Sequence, residues 1–303
     1  MSVERASEPA QAATETPDDA NDLRGFHFRR LLHKPLTWAL IGAEVALVGI
    51  LLAAYVSPAA GGAGAVVAFL VDLLLVFAIA DQRAERGFFE TYAAENGLEL
   101  GGRSALPETT PLLRKGDDRY AERSLSGRLD EGVGGIEGIL ALYTYEEEST
   151  GADGDRETNY YRYTVCLVPV PECVPHVPEL YCRRKSGLRS LEKLEDAFRS
   201  TERVKLESEA LDERYEIFTG KAQDQVWLRR LFSPTFVVWL GEEAPQKFAF
   251  ELVDGTLCCF VSGHKKSAGE LDAIRSASSA VARRLLEESA ETSGASSAPG
   301  RAR

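Results

Sequence analysis

Two apolar runs, Leu36–Val56 and Ala63–Ala80, interrupt a chain that is otherwise an even mixture of polar and apolar positions. Neither run contains a Lys or Arg, although the 303 residues include 35 of them. At about 1.5 Å per residue, the two runs reach roughly 31 and 27 Å as helices, enough to cross a hydrocarbon layer of about 30 Å. A soluble protein has no reason to keep two such stretches uncharged on every face. The pattern predicts a transmembrane helical hairpin over residues 35–81, with the small-residue connector 57–64 as its loop.

Beyond the second run the periodicity changes. Residues 82–96 continue helically, with Phe88, Phe89 and Tyr92 on one side and Gly97 as the stop. Alternation then takes over. Ile139, Ala141, Tyr143 and Tyr145 form one strand, and Tyr161, Tyr163, Val165 and Leu167 another, joined by a loose polar loop over 149–158. Leu188, Leu191, Leu194 and Phe198 have helical spacing, and short strands follow near 204–207 and 215–218. Ser233 and Pro234 open a helix that runs to Gly241. Asp254-Gly255 is a two-residue hairpin turn between alternating strands. A last helix starts at Ser267 and Glu270, in capping-box spacing, with Leu271, Ile274, Val281 and Leu285 facing the core. Strands that do not alternate regularly with helices predict an α+β domain with a mainly antiparallel sheet over residues 82–288.

Charge adds orientation. Residues 1–22 carry six acids against Arg5 and almost nothing apolar, so they read as a disordered acidic tail. Residues 289–303 read as a second disordered tail. Residues 23–34 hold Arg24, Arg29, Arg30 and Lys34 without an acid, a basic juxtamembrane segment suited to anionic lipid. Arg83 and Arg86 follow the second run, while the connector has no cation. The bias of short-loop Lys and Arg towards the cytoplasm places both termini there, in a multi-pass protein of the plasma (inner) membrane. The start of the apolar run behind an acidic tail disfavours a cleaved signal peptide. A net charge of −12 speaks against nucleic acid as a ligand. Five cysteines, all after the hairpin and odd in number, read as free thiols in a reducing compartment.

The stretch 213–240, which ends Val-Trp-Leu-Arg-Arg-Leu-Phe-Ser-Pro-Thr-Phe-Val-Val-Trp-Leu, resembles a recurring pattern in a bacterial membrane-anchored protein family of unknown function. That pattern is a short strand, a helix ending in Leu, and a Ser/Thr-Pro-x-Phe start to another helix. The segment Thr110-Pro-Leu-Leu-Arg-Lys-Gly-Asp resembles the beginning of the same cytosolic domain. The resemblance spans residues 82–288. It implies two membrane helices followed by an α+β domain, and it carries no catalytic residue onto this chain.

Glu44 and Asp72 are the first candidates for function, because a carboxylate at membrane depth costs several kcal/mol, on the order of 3. Each lies eight residues from the cytoplasmic end of its helix, so both sit about 12 Å deep. Gly42, Ala46, Gly49 and Ala53 form a small-residue stripe that permits close helix packing. The expected arrangement packs this stripe on the face of Asp72, Ala65, Ala68, Val76 and Ile79. Glu44 then points outward, available to a second copy of the chain as polar glue, with proton or ion handling as the alternative.

Other constellations are weaker. Cys166, Cys173, His176 and Cys182 have the ligand types of a structural zinc site but lack tight Cys-x-x-Cys pairs, so core cysteines are the preferred reading. Cys258, Cys259 and His264 make a weaker set still, because the strand neighbours Cys258 and Cys259 face opposite ways. No Gly-x-Ser-x-Gly elbow occurs. The glycines of 132–138 precede a strand, which does not fit a dinucleotide loop. Asp153, Asp155 and Glu157 lack calcium-loop spacing. Arg183, Arg184 and Lys185 read as a solvated basic patch or a lipid contact. No cofactor is implied. The sequence reads as a membrane-tethered binding or regulatory module, with the lipid bilayer and an unknown protein as partners and without catalysis. The alternatives are an accessory subunit of a transport or ion-handling complex, or a hydrolase-type enzyme in the cytosolic domain.

Overall fold

The computed structural model describes residues 35–130, 135–150, 155–185, 201–205, 208–221 and 223–297. The acidic tail, the basic segment 23–34, the 188–198 helix, residues 131–134 at the start of the glycine run and residues 298–303 lie outside these residues. The fold is α+β, two long N-terminal helices followed by a nine-stranded antiparallel sheet with packed helices. It divides into two units, meeting at Phe88 and Phe89.

In the first unit, α1 spans Pro35–Tyr55 and α2 begins at Pro58, continuing without interruption to Glu95. Both are long and apolar enough to cross a membrane. The expected eight-residue loop is absent. Ser57 accepts a hydrogen bond at Oγ from the Ala60 amide at 3.2 Å, so it caps a helix that Pro58 starts with its pre-set φ. Only Val56 and Ser57 separate the helices.

In the second unit the strands are β1 (Glu99–Gly101), β2 (Asp118–Arg128), β3 (Glu137–Thr150), β4 (Arg156–Pro169), β5 (Glu179–Arg184), β6 (Thr201–Val204), β7 (Tyr215–Gly220), β8 (Ala249–Val253) and β9 (Thr256–Ser262). Their order across the sheet is β1-β2-β3-β4-β9-β8-β5-β7-β6. The β3–β4 hairpin is longer than its polar sequence implies, pairing out to Thr150 with Arg156. Asp254 and Gly255 take positive φ values of 46° and 77°, as the β8–β9 turn requires. Helices α3 (Glu209–Arg214), α4 (Gln225–Leu231), α5 (Pro234–Glu242) and α6 (Ala268–Ser297) complete the unit. Helix α6 reaches nine residues into the stretch 289–303 read above as a disordered tail.

One register row crosses the whole sheet. Leu100, Leu125, Leu140, Cys166, Cys259, Phe250, Cys182, Ile217 and Val204 are successive partners on one face. Ser278 of α6 lies against Cys166 and Cys259 in that row. The opposite face carries Ala141, Tyr143, Tyr145, Tyr163, Val165, Cys258 and Phe260, covered by Leu112 and Leu113 of the segment before β2. The sheet is therefore buried on both faces, as its near-continuous apolar strands require.

The end of α2 belongs to this second core. Phe89 and Tyr92 are buried, and Gly97 (φ +63°) stops the helix as expected. Tyr92 donates from Oη to Asp272 at 2.7 Å, and Arg275 donates to the Asn96 side chain at 2.6 Å.

Candidate functional site

Two residues of the stripe read in the sequence, Gly49 and Ala53, face the second helix of the hairpin. Gly49 faces Ala65, where an added Cβ would lie 3.4 Å from the alanine methyl, while Gly42 has open space around it and Ala46 is exposed. The less exposed positions of α1 include Ile41, Val45, Val48, Gly49 and Leu52. Small residues of α2 face the seam as well. A Cβ at Gly61 would sit 2.6 Å from Ala53 Cβ, and one at Gly64 would collide with Leu52. Branched side chains of α1 thus fill hollows made by glycines of α2, which is how helices come close without a hydrophobic driving force between them.

Asp72 and Glu44 differ in setting. Asp72 is 6% exposed on the inward face of α2, and its Oδ2 is buried with no hydrogen-bond partner among the described residues. Ala65, Ala68 and Val76 share that face as expected, but Ile79 is exposed. Glu44 is exposed on α1. The two carboxyl groups therefore do not share an environment.

The cysteine and histidine set is dispersed. Cys166 and Cys182 lie in the same row but three strand steps apart, about 14 Å. Cys173 sits in a 3-10 turn beside Ser289, and His176 stacks on Trp227 with ring centroids 6.4 Å apart. His176 also meets Ser293 Oγ at 3.0 Å, and its carbonyl accepts from Gln223 at 2.6 Å. Its work is to tie the turn to α4 and α6. Among the described residues no group of three His, Cys, Asp or Glu is placed to hold a metal ion. All five thiols are buried, and burial pushes Cys166 up to about 12. Such thiols are poor nucleophiles.

His264, a weak metal candidate in the sequence beside Cys258 and Cys259, stands in a polar cluster. His264 Nε2 lies 3.1 Å from the Tyr143 carbonyl and 3.2 Å from Thr144 Oγ1, while Nδ1 faces Glu122 Oε2 at 3.7 Å. Thr144 in turn donates to Glu122 Oε1 at 3.1 Å. The order carboxylate, imidazole, hydroxyl resembles a nucleophilic triad. Thr144 is wholly buried, however, and its hydroxyl proton already goes to the carboxylate, so no substrate reaches it. The cluster joins the β9–α6 connection to the middle of the sheet.

Arg183 corrects another reading. It is not part of a solvated patch: its Nη2 lies 3.3 Å from Glu251 Oε1, on a carboxylate with no exposure. Glu251 Oε2 also accepts the Leu112 amide at 3.0 Å. Burial raises the Glu251 carboxyl above its usual range and lowers Arg183, while the pairing opposes both shifts.

Clefts open on the second unit among the described residues. One, of about 460 Å³, lies between the start of α3 and the α4–α5 elbow, lined by Lys205, Ser208, Arg229, Phe232, Pro234, Val237 and Val238. Another, of about 400 Å³, lies over the ends of β2, β3 and β4 beside Pro107 and is mostly apolar.

No family model matches this chain, and no curated protein does. Among solved structures, the crystal structure of the mycobacterial trehalose monomycolate transport factor A, TtfA, is similar at 12% identity and a TM-score of 0.41. The match covers 67% of this chain and 93% of that one.

Proposed function

We propose that the protein is a membrane-tethered binding or regulatory module that acts without catalysis. The observation that carries this reading is the continuity of α2, which begins in the apolar hairpin at Pro58 and ends among the core residues of the sheet unit. Leu40, Leu47, Ile50, Leu74 and Leu75 of the two helices are each about half exposed or more, a surface that lipid satisfies and water does not. The basic residues at 24–34 and at Arg83 and Arg86 favour the cytoplasmic side of the plasma membrane for both termini. The two-residue turn at Val56 and Ser57 then lies outside. Glu44, on the exposed side of α1, is the group through which a second copy would associate. Reporter fusions test the topology: one after Ala80 should be active only as a cytoplasmic reporter, and one inserted at Ser57 only as an external one. The opposite pattern would overturn the orientation.

Asp72 supports a second reading, an accessory role in transport or ion handling. A buried carboxylate with an unpartnered oxygen at membrane depth is the kind of group such proteins use. Asp72→Asn should abolish a transport phenotype with assembly intact if this reading holds, and leave it unchanged if Asp72 only packs the hairpin.

A further inference from the structure

We infer that the free edge of the β3–β4 ribbon pairs, antiparallel and about a two-fold axis, with the same edge of a second copy of this chain. Strand β4 pairs with β9 only as far as Tyr163 opposite Ser262, yet it continues to Arg156 with β3 alone beside it. The Arg162 carbonyl accepts the Gly263 amide at 2.8 Å, so its backbone faces the β9 side. With a period of two, Tyr160, Thr158 and Arg156 turn their N–H and C=O groups to that side, where no described strand meets them. The side chains of Arg156, Thr158, Tyr160 and Arg162 are all exposed, Tyr160 by 52%. Such an edge is a template for another strand.

The side chains select the partner and the register. A two-fold pairing sets outward-facing residues opposite one another, so it centres on one residue between 157 and 160. Centring on Glu157 opposes two carboxylates, and centring on Asn159 sets Arg156 against the partner's Arg162. Centring on Tyr160 needs the Arg162 backbone, which Gly263 already holds. Centring on Thr158 opposes no like charges. Thr158 then meets Thr158, Glu157 meets Asn159, and Arg156 lies across from the exposed Tyr160 ring as a cation–π pair. Arg162 of the same copy stands 5.7 Å from that ring, and Glu146, the β3 partner of Tyr160, offsets the two cations. The edge is therefore complementary to itself, which favours a second copy over an unrelated strand.

Two short edges make a weak contact alone, so the inference rests on the membrane-tether reading for its strength: confinement to one bilayer raises the effective concentration. The test oxidises washed membranes from cells expressing full-length Thr158→Cys and follows the chain on a nonreducing gel. The band should shift from monomer to dimer mass, since opposed residues of a hydrogen-bonded pair stand about 5.5 Å apart at Cα, within disulfide range. Glu157→Cys, Asn159→Cys and Tyr160→Cys, which mark the other registers, should stay monomeric, as should the wild type with its buried thiols. Adding Tyr160→Pro to Thr158→Cys removes an outward N–H and spares the β3 ladder, so the link should be lost. Adding Glu44→Ala should leave the link in place, because the contact does not pass through the hairpin. Retained protection of the buried thiols from alkylation shows that each variant is folded. Absence of the Thr158→Cys dimer, a link centred on another position, or a link to a different protein would overturn the proposal. So would a link that survives Tyr160→Pro or disappears with Glu44→Ala. A chain that links but fails to sediment with membranes refutes the tether alone, and one that sediments without linking refutes the edge pairing alone.

Discussion

Arg183 and Glu251 meet at 3.3 Å beneath the segment that covers one face of the sheet, and the carboxylate also holds the Leu112 amide. The pair ties β5 and β8 to a stretch with no regular structure beyond one 3-10 turn, so its removal should loosen that cover. Breaking a buried pair by deleting one partner leaves an uncompensated charge, which costs about 3–5 kcal/mol. Arg183→Met should therefore lower the urea midpoint sharply. Replacing both residues, with Glu251→Leu added, should recover much of the loss. A double variant no better than the single would show that the pair's charge is not the issue.

The five thiols should resist iodoacetamide in the native protein and react fully in denaturant, since all are buried. Thiolate is the reacting species, and burial raises each of these cysteines, Cys166 to about 12. Mass spectrometry of the alkylated protein reads the outcome directly. Fast native labelling of Cys182 or Cys259 would contradict the packing of the sheet.

His264 should make stability depend on pH. Burial lowers its folded value below the ordinary 6.5, with the Tyr143 carbonyl and Glu122 opposing and Lys266 and Arg162 reinforcing. The unfolded chain therefore binds the proton more readily, so stability is fully present above the ordinary value and declines as pH falls below it. Urea midpoints at neutral pH and on the acid side of 6 should differ in the wild type. In His264→Gln that part of the difference should vanish.

The hairpin seam can be tested by trapping. Cysteines at Gly49 and Ala65 would place their Cβ atoms about 3.4 Å apart, close to disulfide distance. Oxidation should crosslink Gly49→Cys/Ala65→Cys efficiently. Adding Gly64→Leu, which collides with Leu52, should abolish the crosslink. Crosslinking that persists unchanged would mean that the helices meet on another face.

The parts of this architecture that were legible in the sequence are those with local signals. Hydrophobic runs announced α1 and α2, the Asp254-Gly255 pair announced the β8–β9 hairpin, and Ser233-Pro234 announced α5, whose cap accepts the Phe236 amide as expected. Ser267 and Glu270 do open α6, but through a bond from the Ser267 hydroxyl to the Glu270 carboxylate at 3.0 Å. Strand β2 was missed because Arg119, Glu122, Arg123 and Ser124 mask its alternation, and a register shift between Ala121 and Arg123 breaks the period. Of the small residues on α1, Gly49 and Ala53 meet α2 while Gly42 and Ala46 stay open, because Gly61 and Gly64 of α2 set where the helices approach, which no reading of α1 alone reveals. The clusters around Glu251 and His264 join residues more than 60 positions apart, and only the sheet order brings them together.

The account depends most on the hairpin residing in lipid. Cells expressing the full-length chain should be lysed without detergent, washed with alkaline carbonate and centrifuged at high speed, and the protein traced by immunoblot. The account predicts that the chain stays in the pellet and is released only by detergent. Recovery in the supernatant, before or after the carbonate wash, would contradict it.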